Sequence, residues 1–151
     1  MTVRILVVCL GNICRSPAAE AAIRTAAVDA GIPVEVESAG TSRYHLGEPP
    51  HPESRRAGAE VGLTIEGRAR QVTVEDFERF DLIVAMDRDN LRDLLALAPD
   101  REAAAKVRLF RHDGADVPDP WGRGYEAYRQ TMATVVEAAA RLVDEVASTG
   151  G

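Results

Sequence analysis

The sequence predicts an α/β protein in which helices cover both faces of a parallel sheet. Short apolar runs rich in β-branched residues alternate with longer segments of helical periodicity, which is typical of this architecture. The first run, 5–8, is apolar at every position, as expected for a strand buried on both faces. A glycine-containing loop follows it, and an alanine-rich helix then extends to about Ala30.

The same patterns place the remaining elements. Strands are predicted at 5–8, 34–38, 81–86 and 107–110, and helices at 18–30, 52–62, 74–80, 87–98 and 125–146. Ser16 is expected to cap the first helix, with Pro17 at its first position, and Thr73 is expected to cap the third. The segment 99–106 reads as a connection. Right-handed crossovers between four strands fit the doubly wound, flavodoxin-like order 2-1-3-4. Ligands bind such sheets outside the carboxyl ends of the strands.

The loop from Cys9 to Arg15, here called the cysteine loop, combines an anion site with a nucleophile. Successive N–H groups of a loop that leads into a helix converge on one point, and the helix dipole adds to their positive field. A cysteine in that field is expected to be ionised at neutral pH. Arg15 offers a planar fork of donors that matches two phosphate oxygens. The loop therefore predicts in-line attack of sulfur on phosphorus. The alternative is a buried, inert Cys9 and a surface Arg15.

The residues Cys9–Pro17, CLGNICRSP, resemble the C-x5-R-[ST] motif of the low-molecular-weight protein tyrosine phosphatases, bacterial type. The resemblance extends from Val3 to the final helix. It implies hydrolysis of phosphotyrosine and small aryl phosphates through a phosphocysteine intermediate. Cys9 would be the nucleophile, Arg15 would clamp the phosphate, and Ser16 would donate its hydroxyl to the sulfur. The other residues of the loop would surround the phosphate: Leu10, Gly11, Asn12, Ile13 and Cys14.

A proton donor for the leaving group is expected on the loop after the fourth strand. The family's acid lies in an Asp-Pro-aromatic motif, which Asp119-Pro120-Trp121 matches. A carboxylic acid there can protonate the leaving oxygen and then act as base for water. Prolines on both sides of Asp119 restrict its backbone. The alternative is an ordinary Asp-Pro turn. Asp113 and Asp116, on the same loop, are expected to be solvated.

Trp121 and Tyr44 are expected to form opposite walls of the pocket, with core packing as the alternative for both rings. An aromatic slot with the phosphate at its floor selects aryl phosphates over the shorter phosphoserine. Leu10 and Ile13 would line the lower slot. Relatives that act on phosphoarginine resemble this chain but carry a small hydroxyl residue in place of Ile13, so its bulk favours phosphotyrosine.

Supporting residues follow the family's pattern with two departures. Asn12 is expected to adopt a left-handed backbone and, with Ser38, to brace the loop. Asp87 matches the family's Met-Asp-x-x-Asn, although helix capping explains it equally well. Gly67 stands where the family often has a histidine in the network around Asn12, so that network should be shorter or completed by water. Gly122 stands where many relatives have a second tyrosine, which removes regulation by paired tyrosine phosphorylation.

Cys14 is a candidate redox partner of Cys9. A second thiol in the same curled loop could trap an oxidised Cys9 as a disulfide before further oxidation. The alternative is a small buried side chain that packs beneath the loop. Both cysteines of the chain lie in this loop, which argues against a disulfide framework and fits a reducing cytoplasm.

Length and charge restrict the remaining possibilities. A chain of 151 residues is most simply one domain, 1–151, and a monomer. Its net charge of −6 argues against binding to nucleic acid or anionic membranes. His45, His51 and His112 lack metal-ligand spacing and are expected at the surface. Neither a metal nor a cofactor is predicted, since Arg15 and the loop amides would stabilise the charge.

Two other functions stay open from the sequence. An arsenate-reductase-like thiol enzyme on this scaffold would need further cysteines downstream, and none follows Cys14. A non-catalytic phosphate-binding or phosphocysteine-carrier protein should have lost the proton donor, yet the Asp119 motif is present. The expected partner is a phosphotyrosyl protein.

Overall fold

A parallel sheet of four strands forms the centre of the protein, for which the computed structural model describes residues 2–149. The strands are β1 (Val3–Cys9), β2 (Val34–Gly40), β3 (Leu82–Ala85) and β4 (Val107–Leu109). Their spatial order is β2-β1-β3-β4, with every pair parallel, which confirms the predicted topology. β1 pairs with β2 along its whole length and with β3 from Ile5 to Val8. Because β1 has a neighbour on each side, 5–8 are fully buried.

Helices cover both faces of this sheet, as predicted. They are α1 (Arg15–Ala30), α2 (Pro52–Glu60), α3 (Asp76–Arg79), α4 (Arg88–Leu97), α5 (Arg101–Ala104) and α6 (Tyr125–Thr149). Ile5 and Val7 of β1 point into one apolar core with α1, α2 and α6. Leu6 and Val8 point into the other core, with α3, α4 and α5. The alternation follows from the period of two along a strand. Within the described residues, no helix combines the length and apolar character needed to cross a bilayer.

The start of α1 differs from the prediction. The helix begins at Arg15 with Cys14 at the N-cap and no side-chain capping bond, so the assignment of Ser16 as the cap was wrong. The Ser16 hydroxyl is instead 3.0 Å from the Cys9 sulfur and accepts a bond from the Asn12 amide at 2.8 Å. Because the Ser16 hydroxyl bonds to the cysteine loop, it does not cap α1. Arg15 and Ser16 therefore lie in the first helical turn, directly beside the cysteine loop.

Two further boundaries differ. The predicted connection 99–106 contains α5, which is capped by Asp100 through the N–H of Ala103 at 2.8 Å. A helix of four residues is too short for its periodicity to be recognised. α3 is shorter than 74–80, and Thr73 does not cap it with its side chain. The bond runs the other way, because the Asp76 carboxylate accepts the backbone N–H of Thr73 at 2.8 Å.

The loops that follow the strands meet at one edge of the sheet. Backbone hydrogen bonds join the loop after β2 to the cysteine loop, from Thr41 N–H to the Cys9 carbonyl and from Ser42 N–H to the Leu10 carbonyl. Another joins Val117, on the loop after β4, to the carbonyl of Met86 after β3 at 2.7 Å. These bonds bring four distant segments around a single mouth, as the topology requires.

Candidate active site

The Cys9 sulfur is buried at the bottom of this mouth with two hydrogen-bond donors beside it. The backbone N–H of Asn12 donates to the sulfur at 3.2 Å, and the Ser16 hydroxyl lies 3.0 Å away. Because Ser16 already accepts the Asn12 amide, its own proton is available for the sulfur or for the Ala39 carbonyl at 3.4 Å. Donors directed at sulfur, together with the N-terminus of α1, stabilise a negative charge there.

Three carbonyls of the cysteine loop are turned away from the mouth by donors behind the loop. The pairs are Leu10 with Ser42 N–H, Ile13 with His51 N–H at 2.8 Å, and Cys14 with the Ser54 hydroxyl at 3.0 Å. In a trans peptide the N–H of the next residue points opposite to the carbonyl. The amides of Gly11, Cys14 and Arg15 are therefore turned toward the mouth. The loop presents several N–H groups to one point, which is the requirement for binding an anion.

Asn12 holds the turn of the loop in an unusual conformation. Its φ is 58°, and it has the one positive φ of any non-glycine residue in the described part of the chain. The side-chain amide donates to Ser16 and, at 3.0 Å, to the Ser38 hydroxyl. The side-chain carbonyl accepts the backbone N–H of Arg70 at 3.0 Å. The network around Asn12 is therefore completed by the backbone of Arg70, where a shorter or water-completed one was expected.

Arg15 is a buried cation, 3% exposed, with a fixed orientation. Its Nη1 donates to the Asp87 carboxylate at 2.6 Å and to the Val117 carbonyl at 3.0 Å. Burial alone would lower the pKa of Arg15, but the Cys9 and Asp87 charges outweigh it and the pKa is raised. The other Asp87 oxygen accepts the Asn90 N–H at 2.8 Å at the start of α4. Asp87 therefore caps the helix and orients Arg15 at the same time.

Asp119 lies at the rim, with its side chain 46% exposed. One carboxylate oxygen accepts the Trp121 N–H at 3.1 Å, and the other is 3.8 Å from Nη2 of Arg15. A carboxyl in this position can reach both a ligand in the mouth and the solvent. Asp113 and Asp116 are exposed, as predicted, and each also has a polar partner. Asp113 pairs with the Arg111 guanidinium at 2.8 Å, and Asp116 accepts the Arg88 N–H at 3.0 Å.

The mouth is a pocket of about 250 Å³. Its lining residues are Cys9, Leu10, Gly11, Ile13, Cys14, Arg15, Tyr44, His45, Asp119 and Trp121. Tyr44 is 76% exposed and Trp121 51% exposed, so neither ring packs in the core. The pocket therefore has a carboxylate and aromatic rings at its rim and the Arg15 cation at its bottom. This arrangement suits a flat aryl group that carries a phosphate.

Comparison with known proteins agrees with this geometry. The family model of the low molecular weight phosphotyrosine protein phosphatases matches residues 4–150. The chain belongs to this family. A low molecular weight protein-tyrosine-phosphatase of Streptomyces coelicolor is 43% identical over 155 residues, which cover 97% of this chain and 94% of that protein. The protein is accordingly a tyrosine phosphatase, and Cys9 and Arg15 occupy the fixed positions of the family's C-x5-R motif.

Solved structures of the family have the same fold. A protein tyrosine phosphatase from Entamoeba histolytica, with Hepes in its active site, superposes with a TM-score of 0.93 at 31% identity over 99% of both chains. Vibrio vulnificus Wzb, in complex with benzylphosphonate, superposes with a TM-score of 0.86 at 29% identity over 95% of this chain and 98% of its own. Membership of the family does not favour the arsenate-reductase and non-catalytic alternatives.

His45 lines this phosphatase pocket and His51 packs against its Trp121, although the sequence suggested surface positions for both histidines. Trp121 lies between His45 and His51, at ring-centroid distances of 5.4 Å and 5.2 Å. His51 also stacks on Tyr128 of α6 at 5.1 Å, and its Nδ1 accepts the Glu53 N–H at the start of α2. His112 is exposed, as expected. These contacts join residues far apart in the sequence, so metal-ligand spacing does not reveal them.

Cys14 lines the same pocket as Cys9 but its sulfur is in a different environment. Its sulfur is buried and 3.7 Å from the Tyr128 hydroxyl. Burial raises the pKa of Cys14 to about 12, although the Tyr128 hydrogen bond acts in the opposite direction. Burial also raises the pKa of Tyr128 well above its ordinary value. Both cysteines are free thiols. At neutral pH Cys14 is therefore a protonated thiol.

Proposed function

We propose that the protein removes phosphate from phosphotyrosyl side chains of proteins, and from small aryl phosphates, with Cys9 as the nucleophile. The observation that carries the proposal is the position of the Cys9 sulfur. It lies below a mouth into which several loop amides point, beside the Asn12 N–H and the Ser16 hydroxyl. Arg15 and Asp119 line the same pocket.

In the first step the phosphate oxygens bind the loop amides and the Arg15 guanidinium. Asp87 and Val117 hold Nη1 of Arg15, which fixes the plane of the fork for two oxygens. The Cys9 thiolate attacks phosphorus, the S–P bond forms, and the P–O bond to the leaving group breaks. Asp119, in its carboxylic acid form, donates its proton to the leaving oxygen.

In the second step a water molecule attacks the phosphocysteine. The Asp119 carboxylate accepts the proton of the attacking water and is returned to its acid form. The S–P bond breaks, inorganic phosphate is released, and the electron pair returns to the Cys9 sulfur. Ser16, 3.0 Å from that sulfur, donates a hydrogen bond to it and makes it a better leaving group.

Aryl specificity follows from the walls of the pocket. Tyr44 and Trp121 line the pocket, together with the apolar side chains of Leu10 and Ile13. A phosphoserine would leave these apolar surfaces uncovered, whereas a phenyl ring fills the slot. The benzylphosphonate bound by the Vibrio vulnificus relative carries a ring of this kind. Gly11 contributes by its size, because a Cβ there would be 2.9 Å from Cδ2 of His45.

We also propose that Cys14 protects Cys9 from over-oxidation. A peroxide converts the Cys9 thiolate to a sulfenic acid, the Cys14 sulfur displaces the hydroxyl as water, and a disulfide forms. A thiol reductant restores both thiols. The support is that the two free cysteines line the same pocket. Peroxide-treated protein should lose two hydrogens in mass and regain activity with dithiothreitol, whereas Cys14→Ser should be inactivated irreversibly.

The proposed setting follows from the chemistry of the site. A thiolate nucleophile has to stay reduced, which favours the cytoplasm as the place of action. We further propose a single catalytic domain over 1–151 that acts as a monomer on a phosphotyrosyl protein. Met1, Gly150 and Gly151, at its ends, lie outside the described residues.

Hydrolysis of para-nitrophenyl phosphate and of a phosphotyrosine peptide tests the proposed roles. Cys9→Ser should abolish both activities. Asp119→Ala should reduce kcat on the peptide by about 10²–10⁴-fold, as expected for loss of a general acid. The reduction should be smaller on para-nitrophenyl phosphate, whose leaving group needs little protonation. Asp113→Ala, on the same loop, is the matched control. Equal losses for Asp113→Ala and Asp119→Ala would contradict the assignment of the acid.

A further inference from the structure

A buried carboxylate outside the pocket, that of Asp76 in α3, is linked to the cysteine loop. Its side chain is 1% exposed and accepts two hydrogen bonds from the Arg70 guanidinium, at 2.9 Å and 3.0 Å. It also accepts the Thr73 N–H, and Nη1 of Arg79 lies 3.4 Å away. Burial acts to raise the pKa of Asp76, but the bonds from Arg70 and Thr73 outweigh it and the pKa is lowered. A charge in this position costs desolvation energy, and nothing in the two proposed steps uses it.

Arg70 connects this carboxylate to the cysteine loop through its main chain. Its backbone N–H donates to the side-chain carbonyl of Asn12 at 3.0 Å. Its backbone carbonyl accepts the N–H of Gly40, the last residue of β2, at 2.8 Å. The side chain of Arg70 is thus fixed by α3, while its amide is a hydrogen-bond partner of the residue that shapes the loop.

The end of β2, to which the Arg70 carbonyl is bonded, lies very close to the cysteine loop. A Cβ on Gly40 would be 2.8 Å from the Leu10 carbonyl and 3.2 Å from Cβ of Asn12, so only glycine allows this approach. Gly67 brings no side chain into the network, and the Arg70 amide is the partner of the Asn12 carbonyl oxygen. The position of that amide therefore bears directly on the left-handed turn at Asn12.

We propose that Asp76 is a positioning residue of the phosphatase: through Arg70 it holds the Asn12 carboxamide, and with it the Asn12 N–H that points at the Cys9 sulfur. The proposal rests on the function proposed above, because it concerns how the loop around Cys9 keeps its shape. Asp76 touches neither substrate nor nucleophile. Its effect should therefore appear in the alignment of the loop, in kcat/KM and in binding of a transition-state mimic.

The first comparison uses Asp76→Asn. The neutral amide cannot hold the guanidinium in a charge-assisted, two-point grip. We expect kcat/KM for para-nitrophenyl phosphate to fall about tenfold or more, since small displacements of reacting groups have effects of this size. Vanadate, which mimics the five-coordinate phosphorus, should bind more weakly by a similar factor. The control is Glu145→Gln, which breaks the Arg108–Glu145 ion pair between β4 and α6, away from the loop, and should leave both values unchanged.

A second variant covers the case in which Asp76→Asn does not fold. Arg70→Lys leaves a positive charge beside the buried carboxylate but replaces the two-point grip by a single ammonium group. It should fold, and its kcat/KM and its vanadate affinity should both fall several-fold below the wild-type values. Wild-type values in a folded Arg70→Lys protein would count against the proposal.

A double-mutant cycle decides whether Asp76 acts through Asn12. Asn12→Gly keeps a backbone at φ 58° accessible and removes the carboxamide. If the proposal is right, Asp76→Asn should cause little further loss of kcat/KM in the Asn12→Gly protein. The proposal would be overturned if the losses of kcat/KM from Asp76→Asn and Asn12→Gly multiplied in the double variant. It would also be overturned if a folded Asp76→Asn protein kept the kcat/KM and vanadate affinity of the Glu145→Gln control. Absence of activity and vanadate binding in the wild type would instead refute the proposed function itself.

Discussion

Replacing Asp87 by alanine is expected to remove two interactions at once, because its two carboxylate oxygens serve different partners. One accepts the Asn90 N–H and caps α4, and the other accepts Nη1 of the buried Arg15 at 2.6 Å. Loss of a helix cap costs about 1 kcal/mol of unfolding free energy. Loss of a hydrogen bond between charged groups costs about 1.5–3 kcal/mol. Asp87→Ala should therefore lower the unfolding free energy by about 2.5–4 kcal/mol.

Two matched variants separate the cap from the ion pair. Asp87→Asn preserves the cap, since asparagine is equally effective there, and should lose only about 1–2 kcal/mol. Asp100→Ala removes the cap of α5 without touching Arg15, and should lose about 1 kcal/mol. Urea unfolding followed by circular dichroism measures all three.

The same variants should differ in activity. Without Asp87, Nη1 of Arg15 keeps its hydrogen bond to the Val117 carbonyl but loses its carboxylate partner, so kcat/KM should fall by about 10–10². Asp100→Ala should keep wild-type activity. The reasoning would be refuted if Asp87→Ala lost no more stability than Asp100→Ala. It would also be refuted if a destabilised Asp87→Ala protein kept wild-type kcat/KM.

The pocket wall and the second cysteine give two further predictions. His51→Ala should raise KM for a phosphotyrosine peptide several-fold with a smaller change in kcat, because Trp121 loses a ring that packs on it. Steady-state kinetics measures both constants, and His112→Ala is the control. In a Cys9→Ser protein, Cys14 should resist iodoacetamide at about pH 9, near the ordinary ionisation of cysteine, since its own pKa of about 12 keeps it protonated. Mass spectrometry before and after unfolding measures the labelling, and rapid alkylation of the folded protein would contradict the burial argument.

The parts of the structure that the sequence predicted well are those with local physical causes. The β-branched run before Cys9 forms the central strand because its apolar character suits burial on both faces. The spacing from Cys9 to Arg15 predicts the loop, and the left-handed Asn12 follows from the tolerance of asparagine for that conformation. Sheet order follows from strand–helix alternation and crossover handedness.

The features that escaped prediction depend on partners far along the chain. Serine is a common N-cap residue, but in the folded protein the Ser16 hydroxyl forms hydrogen bonds with Cys9 and Asn12 of the cysteine loop. His51, at the N-cap of α2, contacts Trp121 and Tyr128, which lie far along the chain. The bond from Arg70 to Asn12 spans 58 positions and uses a backbone N–H. Every residue except proline has this group, so the residue type at position 70 does not predict the bond.

The covalent intermediate is the most direct test of the whole account. Protein mixed with para-nitrophenyl phosphate should be denatured at alkaline pH, where a phosphocysteine is stable, within the first turnovers and digested for mass spectrometry. We expect one phosphoryl group, on the sulfur of Cys9, and none in a Cys9→Ser control. Turnover without any covalent phosphoryl group, or with the group on another residue, would contradict the account.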